Sequence, residues 1–590
     1  MVKVSDLIAE FLKEQNIKTV FGIIGSANAH IFNSIIKKGF TDIIYMHHEQ
    51  AAVMAAGAYY RASGKLSVAI VTAGGGASNA ITGVLSNWAD SVPCIILAGQ
   101  ESTFHVESHK HLRMIGTQGF NASKVVKSIT KKSKCILEKN DVVKSLEEAY
   151  YYCLEGRPGP VWLDIPQDVQ GAKIDEKNIT YFTKPSLPLY NSNISKVVKL
   201  IKNAKRPIIL AGHGVKLSKS TIKFKELVDK LKIPVLTSWL GIDLLSEDHP
   251  YNFGRPGLYG QRRSNFILQN CDLLIVIGNR LSLPLTGYNM DNFAPQAKIV
   301  MVNNDKNELY KHKYHLHIFD DCKKFITKLL SIDLNINVDK WYNQCLEYAK
   351  KFPVIEPHHI SDNKSYDNSY ITVDQISDIA NDDATIVFGQ GTPIASGHQA
   401  FKVKNNQTVF CSNGLGEMGN GIPSAIGAYF GNPNKQLICL IADGSMMMNL
   451  QELQTIIGYK IPIKFILFNN EGYLFIKHTQ KMLFKGKYTG VDKNTGVSLP
   501  NYKKISNAFG LHYSNTKTST LNDFLKTEGP GIYETYMNPE QDLSPKVKGI
   551  VTEEGIMAPP LEEMSPLLSL QKIKDNMIIN TNEISYKIKR

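Results

Sequence analysis

Glu49, Asp443 and Asn470 are the residues of this chain whose types and settings point most directly to chemistry. An apolar run through Leu440-Ile441-Ala442 ends at Asp443-Gly444-Ser445. A helical stretch follows through Gln451 and Leu453 to about Tyr459, and a second apolar run, Ile463 to Phe468, ends at Asn469-Asn470-Glu471-Gly472. In a right-handed parallel crossover both strand ends open on the same edge of the sheet, so the Asp443 carboxylate and the Asn470 amide can meet there. Two hard oxygen donors at one point suit Mg²⁺, which keeps coordination positions for phosphate oxygens. A helix starting near Ser445 would turn free N–H groups to the same anion. The pattern reads as a diphosphate cradle; a strand-helix-strand unit with ordinary turn residues is the bland alternative.

Glu49 lies where Ile43-Ile44-Tyr45-Met46-His47-His48 passes from a strand into an alanine-rich helix, Ala51 to Ala62. A carboxylate there gains about 0.3–1 kcal/mol from the helix macrodipole whatever else it does. Further along, Leu66 to Val71 reads as a strand that ends in Thr72-Ala73-Gly74-Gly75-Gly76-Ala77-Ser78-Asn79, whose glycines let backbone approach a flat ligand. A third glycine-bearing wall is Phe388-Gly389-Gln390-Gly391 with Ser412-Asn413-Gly414-Leu415-Gly416-Glu417-Met418-Gly419.

The elements that must position these residues alternate between strand-like runs and helical patterns. They fall in three blocks: to about Asp175, from Ser195 to Leu334, and from Asp374 to Tyr536. Such alternation predicts an α/β chain of three doubly wound parallel-sheet domains. We place them at 1–175, 190–340 and 365–550, with a C-terminal tail at 551–590. The stretches Thr183 to Asn193 and Glu356 to Asn368 read as linkers, and there is no short solenoid repeat.

Composition narrows the class. The 590 residues, 43% of them hydrophobic, suit a large globular enzyme. Neither a signal segment nor an apolar stretch of about 20 residues is present, so no membrane partner and a cytoplasmic location are expected. Eight cysteines without paired CxxC spacing point to reduced thiols. The net charge of +13 comes from dispersed lysines, which disfavours a nucleic-acid partner and mildly favours small anionic substrates.

Asp443-Gly444-Ser445 with Asn469-Asn470 resembles the signature of thiamine diphosphate enzymes, Ala442 standing where that family usually has glycine. The resemblance implies thiamine diphosphate with Mg²⁺ held by Asp443, Asn470 and the Gly472 carbonyl, beside Gly444 and Ser445. His48-Glu49-Gln50-Ala51-Ala52 resembles the family's activating motif, in which the glutamate bonds N1′ of the aminopyrimidine and favours the tautomer that deprotonates thiazolium C2. By the same resemblance Gly389, Gln390 and Gly391 line the diphosphate, the Gly416 carbonyl accepts from the 4′-amino group, and Met418 wedges beneath the bent cofactor. Met418 could equally fill a core gap.

Asn79 to Gly83, Asp90-Ser91-Val92-Pro93, Ala98-Gly99-Gln100 and Pro559 to Pro566 resemble the acetolactate synthase branch, Gly75 replacing its usual proline. Gly25 to His30, the His47-His48 pair, Gln118, Gly472-Tyr473-Leu474 and His478-Thr479-Gln480 look more like carboligases acting on nucleotide-linked keto-sugars. This implies decarboxylation of a 2-keto acid, pyruvate first, and transfer of the acyl unit to an acceptor carbonyl of a 2-keto acid or a nucleotide-linked keto-sugar. Gln118 would orient a substrate oxygen, and His30 and His48 would move protons, though a structural role suits either histidine as well. Arg206 to Gly212 and Cys271 to Arg280 resemble the family's central domain, which exists with or without FAD. The family also implies a homodimer or homotetramer, with the Glu49 domain of one subunit facing the Asp443 domain of another. A flavin-linked pyruvate oxidase or decarboxylase, or a non-catalytic family member, is the competing reading.

Overall fold

Three parallel sheets carry the chain in this computed structural model, which describes residues 1–186, 193–361, 365–552 and 555–590. The first holds β1 (Thr19–Gly22), β2 (Asp42–Tyr45), β3 (Val68–Val71), β4 (Ile95–Gln100), β5 (Lys132–Cys135) and β6 (Val161–Pro166), ordered 2-1-3-4-6-5. The second holds β7 (Pro207–Ala211), β8 (Val235–Thr237), β9 (Leu273–Ile277), β10 (Lys298–Asn303) and β11 (Leu316–Phe319), ordered 8-7-9-10-11. The third holds β12 (Thr385–Phe388), β13 (Thr408–Cys411), β14 (Leu437–Ala442), β15 (Lys464–Asn469), β16 (His512–Asn515) and β17 (Gly531–Tyr536), ordered 13-12-14-15-17-16. Counted within each sheet, the first and third share one strand order. The expected α/β architecture of three parallel-sheet units is therefore present.

Alternate residues of each strand feed different cores, as the two-residue period requires when both faces are covered. Val20 enters a core on the outer face of the first sheet while Phe21 enters a second core on its inner face. In the third sheet Cys439 and Ile441 join that same inner core, and Ile438 and Leu440 face outward. The first and third sheets thus share one interior, built around α1 (Glu49–Ser63), α2 (Ile81–Ala89), α3 (Gly421–Gly431) and α4 (Glu452–Gly458). Contact between α1 and α3 is close enough that a Cβ added at Gly427 would stand 2.0 Å from the Ala55 carbonyl oxygen. Alanines and glycines in both helices allow that approach.

The 356–368 stretch was expected to be a linker. In its described part it is packed: Pro357–Ser361 is helical, Glu356 pairs with Arg262, and the buried His359 ring stacks on Tyr370. Part of the other expected linker, 187–192, lies outside the described residues, as do 362–364. Past 556 the tail covers the central sheet, with Leu561, Met564 and Ile573 in its core. All eight cysteines are free thiols. Among the described residues no helix is long and apolar enough to cross a membrane.

Candidate functional site

β14 and β15 are neighbours in parallel register, Ala442 opposite Phe468, so their C-terminal ends lie side by side. Asp443 follows one end and Asn470 the other. Asp443 is 1% exposed and accepts from the N–H groups of Gly444 (2.7 Å), Asn470 (3.1 Å) and Gly472 (3.1 Å). Burial nevertheless pushes its carboxyl up to about 7, against the pull of those N–H groups. A buried carboxylate so poorly compensated has the environment of a cation ligand. Asn470 Nδ2 donates to the Gly472 carbonyl (2.6 Å), and its Oδ1 accepts from Thr392 Oγ1 (3.0 Å). Carboxylate, amide oxygen and backbone carbonyl are therefore gathered in one hydrogen-bonded cluster, an all-oxygen donor set that fits Mg²⁺.

Two details differ from the sequence reading. The helical turn begins at Asp443, two residues before the expected start, because the chain turns helical directly from Ala442. Ser445 is also engaged within the protein: its hydroxyl accepts from Gly419 N (3.1 Å), tying the Asp443 turn to the Gly416–Gly419 strip. Ala442 is accommodated at the strand end because Gly391 faces it, with φ +94° and no room for a side chain, a Cβ there standing 2.7 Å from that of Ala442. Gly389 follows β12, and Gln390 donates to the Ser412 carbonyl, which joins the two glycine-bearing walls. Gly416, at φ +71°, lies beside the Gln390 amide oxygen. Met418 is half-buried and points at Gly444, where its Cε would be 3.4 Å from an added Cβ. A core gap-filler would be enclosed; this side chain sits over the cradle. Tyr473, from the Gly472-Tyr473-Leu474 motif, lies over Gly444; Thr392 and Tyr502, whose hydroxyl donates to the Asp443 carbonyl (2.8 Å), complete the cluster and have no motif signal.

In the first sheet Glu49 begins α1, with His48 as N-cap accepting from Gln50 N through Nδ1 (3.2 Å). The Glu49 side chain is 8% exposed, and Asn79 Nδ2 donates to its Oε2 (3.0 Å). Its other oxygen faces Gly76, where an added Cβ would be 2.9 Å away. Beside it the Thr72 hydroxyl is buried with no hydrogen-bond partner among the described residues, an orphan that suits a pocket for a polar ligand. Gln118 lies over Gly74, its Cγ 3.1 Å from where a Cβ would be, and so joins this group. His30 does not: it stands on the helix Ala29–Lys38 with its Nε2 toward Gly171. Among the described residues no hydrogen bond joins Glu49 to the Asp443 cluster within one chain.

A separate cavity of about 350 Å³ lies where all three sheets meet, lined by Asp90, Arg157, His213, Asn279, Asn303 and Asn413 among others. Asn279 Nδ2 and His213 Nε2 are buried there with no hydrogen-bond partners among the described residues. Burial holds the His213 imidazole well below its usual pKa, so the ring is neutral. Orphaned polar atoms in a cavity at the ends of β7 and β9 fit a nucleotide-sized ligand such as FAD.

Comparison with known proteins gives three matched family models. They are the thiamine pyrophosphate enzyme N-terminal TPP binding domain (residues 2–121), central domain (194–329) and C-terminal TPP binding domain (389–530). The chain is 30% identical to the acetolactate synthase large subunit of Porphyra purpurea over 557 residues, 90% of each chain. It is 30% identical to the acetolactate synthase isozyme 1 large subunit of Escherichia coli K12, covering 92% of this chain and 95% of that one. It is 31% identical to a probable acetolactate synthase large subunit of Methanococcus aeolicus, covering 92% and 93%.

Proposed function

Since the chain belongs to the thiamine pyrophosphate enzymes of the acetolactate synthase large-subunit family, and is a thiamine diphosphate-dependent enzyme of the transferase or lyase kind, we propose a Mg²⁺-dependent carboligase. It decarboxylates a 2-keto acid, pyruvate first, and passes the acyl unit to an acceptor carbonyl of a second 2-keto acid or of a nucleotide-linked keto-sugar. The observation that carries this reading is the buried Asp443 carboxylate, gathered with Asn470 and the Gly472 carbonyl at the adjoining ends of β14 and β15.

Bound thiamine diphosphate would supply an acidic C2–H and an electron sink for decarboxylation. Asp443, Asn470 and the Gly472 carbonyl would hold Mg²⁺ on its diphosphate, with Gly389, Gln390, Gly391, Gly444 and Ser445 around it. The Gly416 carbonyl would accept from the 4′-amino group and Met418 would support the bend. Glu49 holds a proton at N1′ and so sets the basicity of the 4′-nitrogen. Gln118 orients a substrate oxygen, while His48 moves a proton through the ring nitrogen that does not cap α1; His30, whose Nε2 faces Gly171, would reach the same site only by movement. Because Glu49 and Asp443 occupy separate clusters in one chain, the site is completed between the Glu49 lobe of one subunit and the Asp443 lobe of another, in a homodimer or homotetramer. FAD would occupy the cavity of His213 and Asn279.

Purified protein given thiamine diphosphate, Mg²⁺ and pyruvate should release carbon dioxide. A mass spectrum of products formed with a panel of aldehydes, 2-keto acids and nucleotide-linked keto-sugars identifies the acceptor. Release that depends on an added electron acceptor would instead indicate a flavin-linked oxidase, and no release at all contradicts the proposal.

A further inference from the structure

The first and third lobes hold each other's functional turns with one buried carboxylate each. In both, the chain crosses from the third strand to the fourth through helical segments, β3 to β4 and β14 to β15. Asp90 caps the end of α2 in the first crossover, and Glu452 opens α4 in the second. Asp90 Oδ1 accepts from Gly414 N (2.7 Å) and Oδ2 from Asn413 N (3.0 Å), gripping the turn after β13, the second strand of the third lobe. Glu452 accepts from His47 N through both oxygens (3.1 and 3.3 Å), gripping the turn after β2, the second strand of the first lobe. From matching crossovers, one acid just after its helix and the other opening its helix, the two carboxylates thus reach across the shared core in opposite directions.

Each carboxylate is itself fixed. Asp90, 3% exposed, also takes a hydrogen bond from Arg61 Nη2 (2.6 Å), whose Nη1 donates to the Cys411 carbonyl at the end of β13 (2.9 Å). Glu452, fully buried, takes one from Thr455 Oγ1 (2.6 Å), and Tyr459, just past α4, accepts from Tyr45 N at the end of β2 (2.8 Å). Hydrogen bonds from N–H groups to buried carboxylates are charge-assisted, and deleting the acceptor strands the donors. The gripped turns are those that lead to Glu49, two residues past His47, and to Gly416 and Met418, just past Gly414.

We propose that Asp90 and Glu452 are reciprocal positioning residues: Glu452 sets the turn that presents Glu49, and Asp90 sets the strip that presents Gly416 and Met418. This rests on the thiamine diphosphate reading for what those turns do, though not for the clasp itself. Misplacement of a catalytic group by about 1 Å can cost on the order of a hundredfold, so the effect should appear in cofactor chemistry as well as in stability.

The test uses full-length protein carrying Glu452→Ala or Asp90→Ala, each alone, and Glu452→Ala also combined with Glu49→Gln. Amide hydrogen exchange is followed in the cofactor-free protein, and exchange of the thiamine diphosphate C2 proton with solvent deuterium in the loaded protein. Glu452→Ala should expose the His47 amide while leaving Asn413 and Gly414 protected, and should slow C2 exchange about tenfold to a hundredfold. In the Glu49→Gln background it should slow C2 exchange no further, because the two act through one group. Asp90→Ala should expose Asn413 and Gly414 instead and weaken thiamine diphosphate binding about tenfold. Should Glu452→Ala not fold, Glu452→Gln, which keeps one acceptor oxygen, is measured in its place and should slow C2 exchange several-fold. A His47 amide still protected, C2 exchange at the wild-type rate, or equal slowing with and without Glu49 overturns the proposal. If the wild-type protein takes up no thiamine diphosphate, the functional reading fails, while amide exchange still decides the clasp.

Discussion

The first and third lobes share a strand order yet differ in what stands at their strand ends. After the third strand the third lobe has Asp443, a buried acid pushed up to about 7, where the first lobe has Thr72-Ala73-Gly74, with no charge. After the second strand the first lobe has Glu49 opening a helix, where the third has the glycine strip leading to Met418. One scaffold thus offers two edges: in the proposed function an acid at one position anchors a cation, and an acid at another holds a proton. The lesson is that topology sets where a functional residue can stand, and local chemistry sets what it does there.

The contrast can be broken from either side. Glu49→Gln removes the first lobe's contribution and should lower turnover about 10²- to 10⁴-fold, the span of general acid–base effects, while thiamine diphosphate titrations stay close to wild type. Turnover near wild type would remove Glu49 from its role. Asp443→Ala removes the third lobe's contribution and should weaken Mg²⁺-dependent uptake of the cofactor by at least about a hundredfold, since a charged ligand is lost; calorimetry measures it. The joint between the lobes is tested by Gly427→Ala, whose methyl would meet the Ala55 carbonyl. Overpacking there should cost about 1–3 kcal/mol in denaturant unfolding, and an unchanged midpoint would mean the helices are less closely apposed.

The smallest effect is in pH. With its carboxyl raised from 3.8 to about 7, Asp443 binds a proton in the cofactor-free fold that it lacks when unfolded. Its contribution is therefore greatest below about pH 4 and is lost as pH rises through 7. Mg²⁺ needs the ionised form, so its affinity should fall by up to about tenfold per pH unit below 7, with proton release on binding. Mg²⁺ affinity independent of pH between 5 and 8 would contradict that assignment.

Much of this contrast was legible in the sequence because the relevant signals are local. Apolar runs ending at Asp443 and Asn469 place Asp443 and Asn470 on one sheet edge, and an alanine-rich helix after His48-Glu49 places an acid at a strand-to-helix join. The glycine turns were legible for the same reason. The rest depends on contacts between residues hundreds of positions apart. Asp90 with Gly414, and Glu452 with His47, are 324 and 405 residues apart in the chain, and nothing in either segment announces its partner. Thr392 beside Asn470, and the Ser445 hydroxyl engaged by Gly419, likewise emerge only once β12, β14 and β15 are adjacent. His30, named with the Gly25 turn, faces Gly171 because the helix that starts at Ala29 rotates it away.

The central claim is that one coenzyme is held between two kinds of lobe from two chains. Co-expressing Glu49→Gln and Asp443→Ala chains and following deuterium exchange at the C2 proton of the bound coenzyme tests it most directly. If the site lies between subunits, mixed dimers contain one intact site, and about a quarter of the wild-type signal should return from two variants that are each inactive alone. If mixed dimers form and no signal returns, the two lobes of a site do not come from different chains and the account is contradicted.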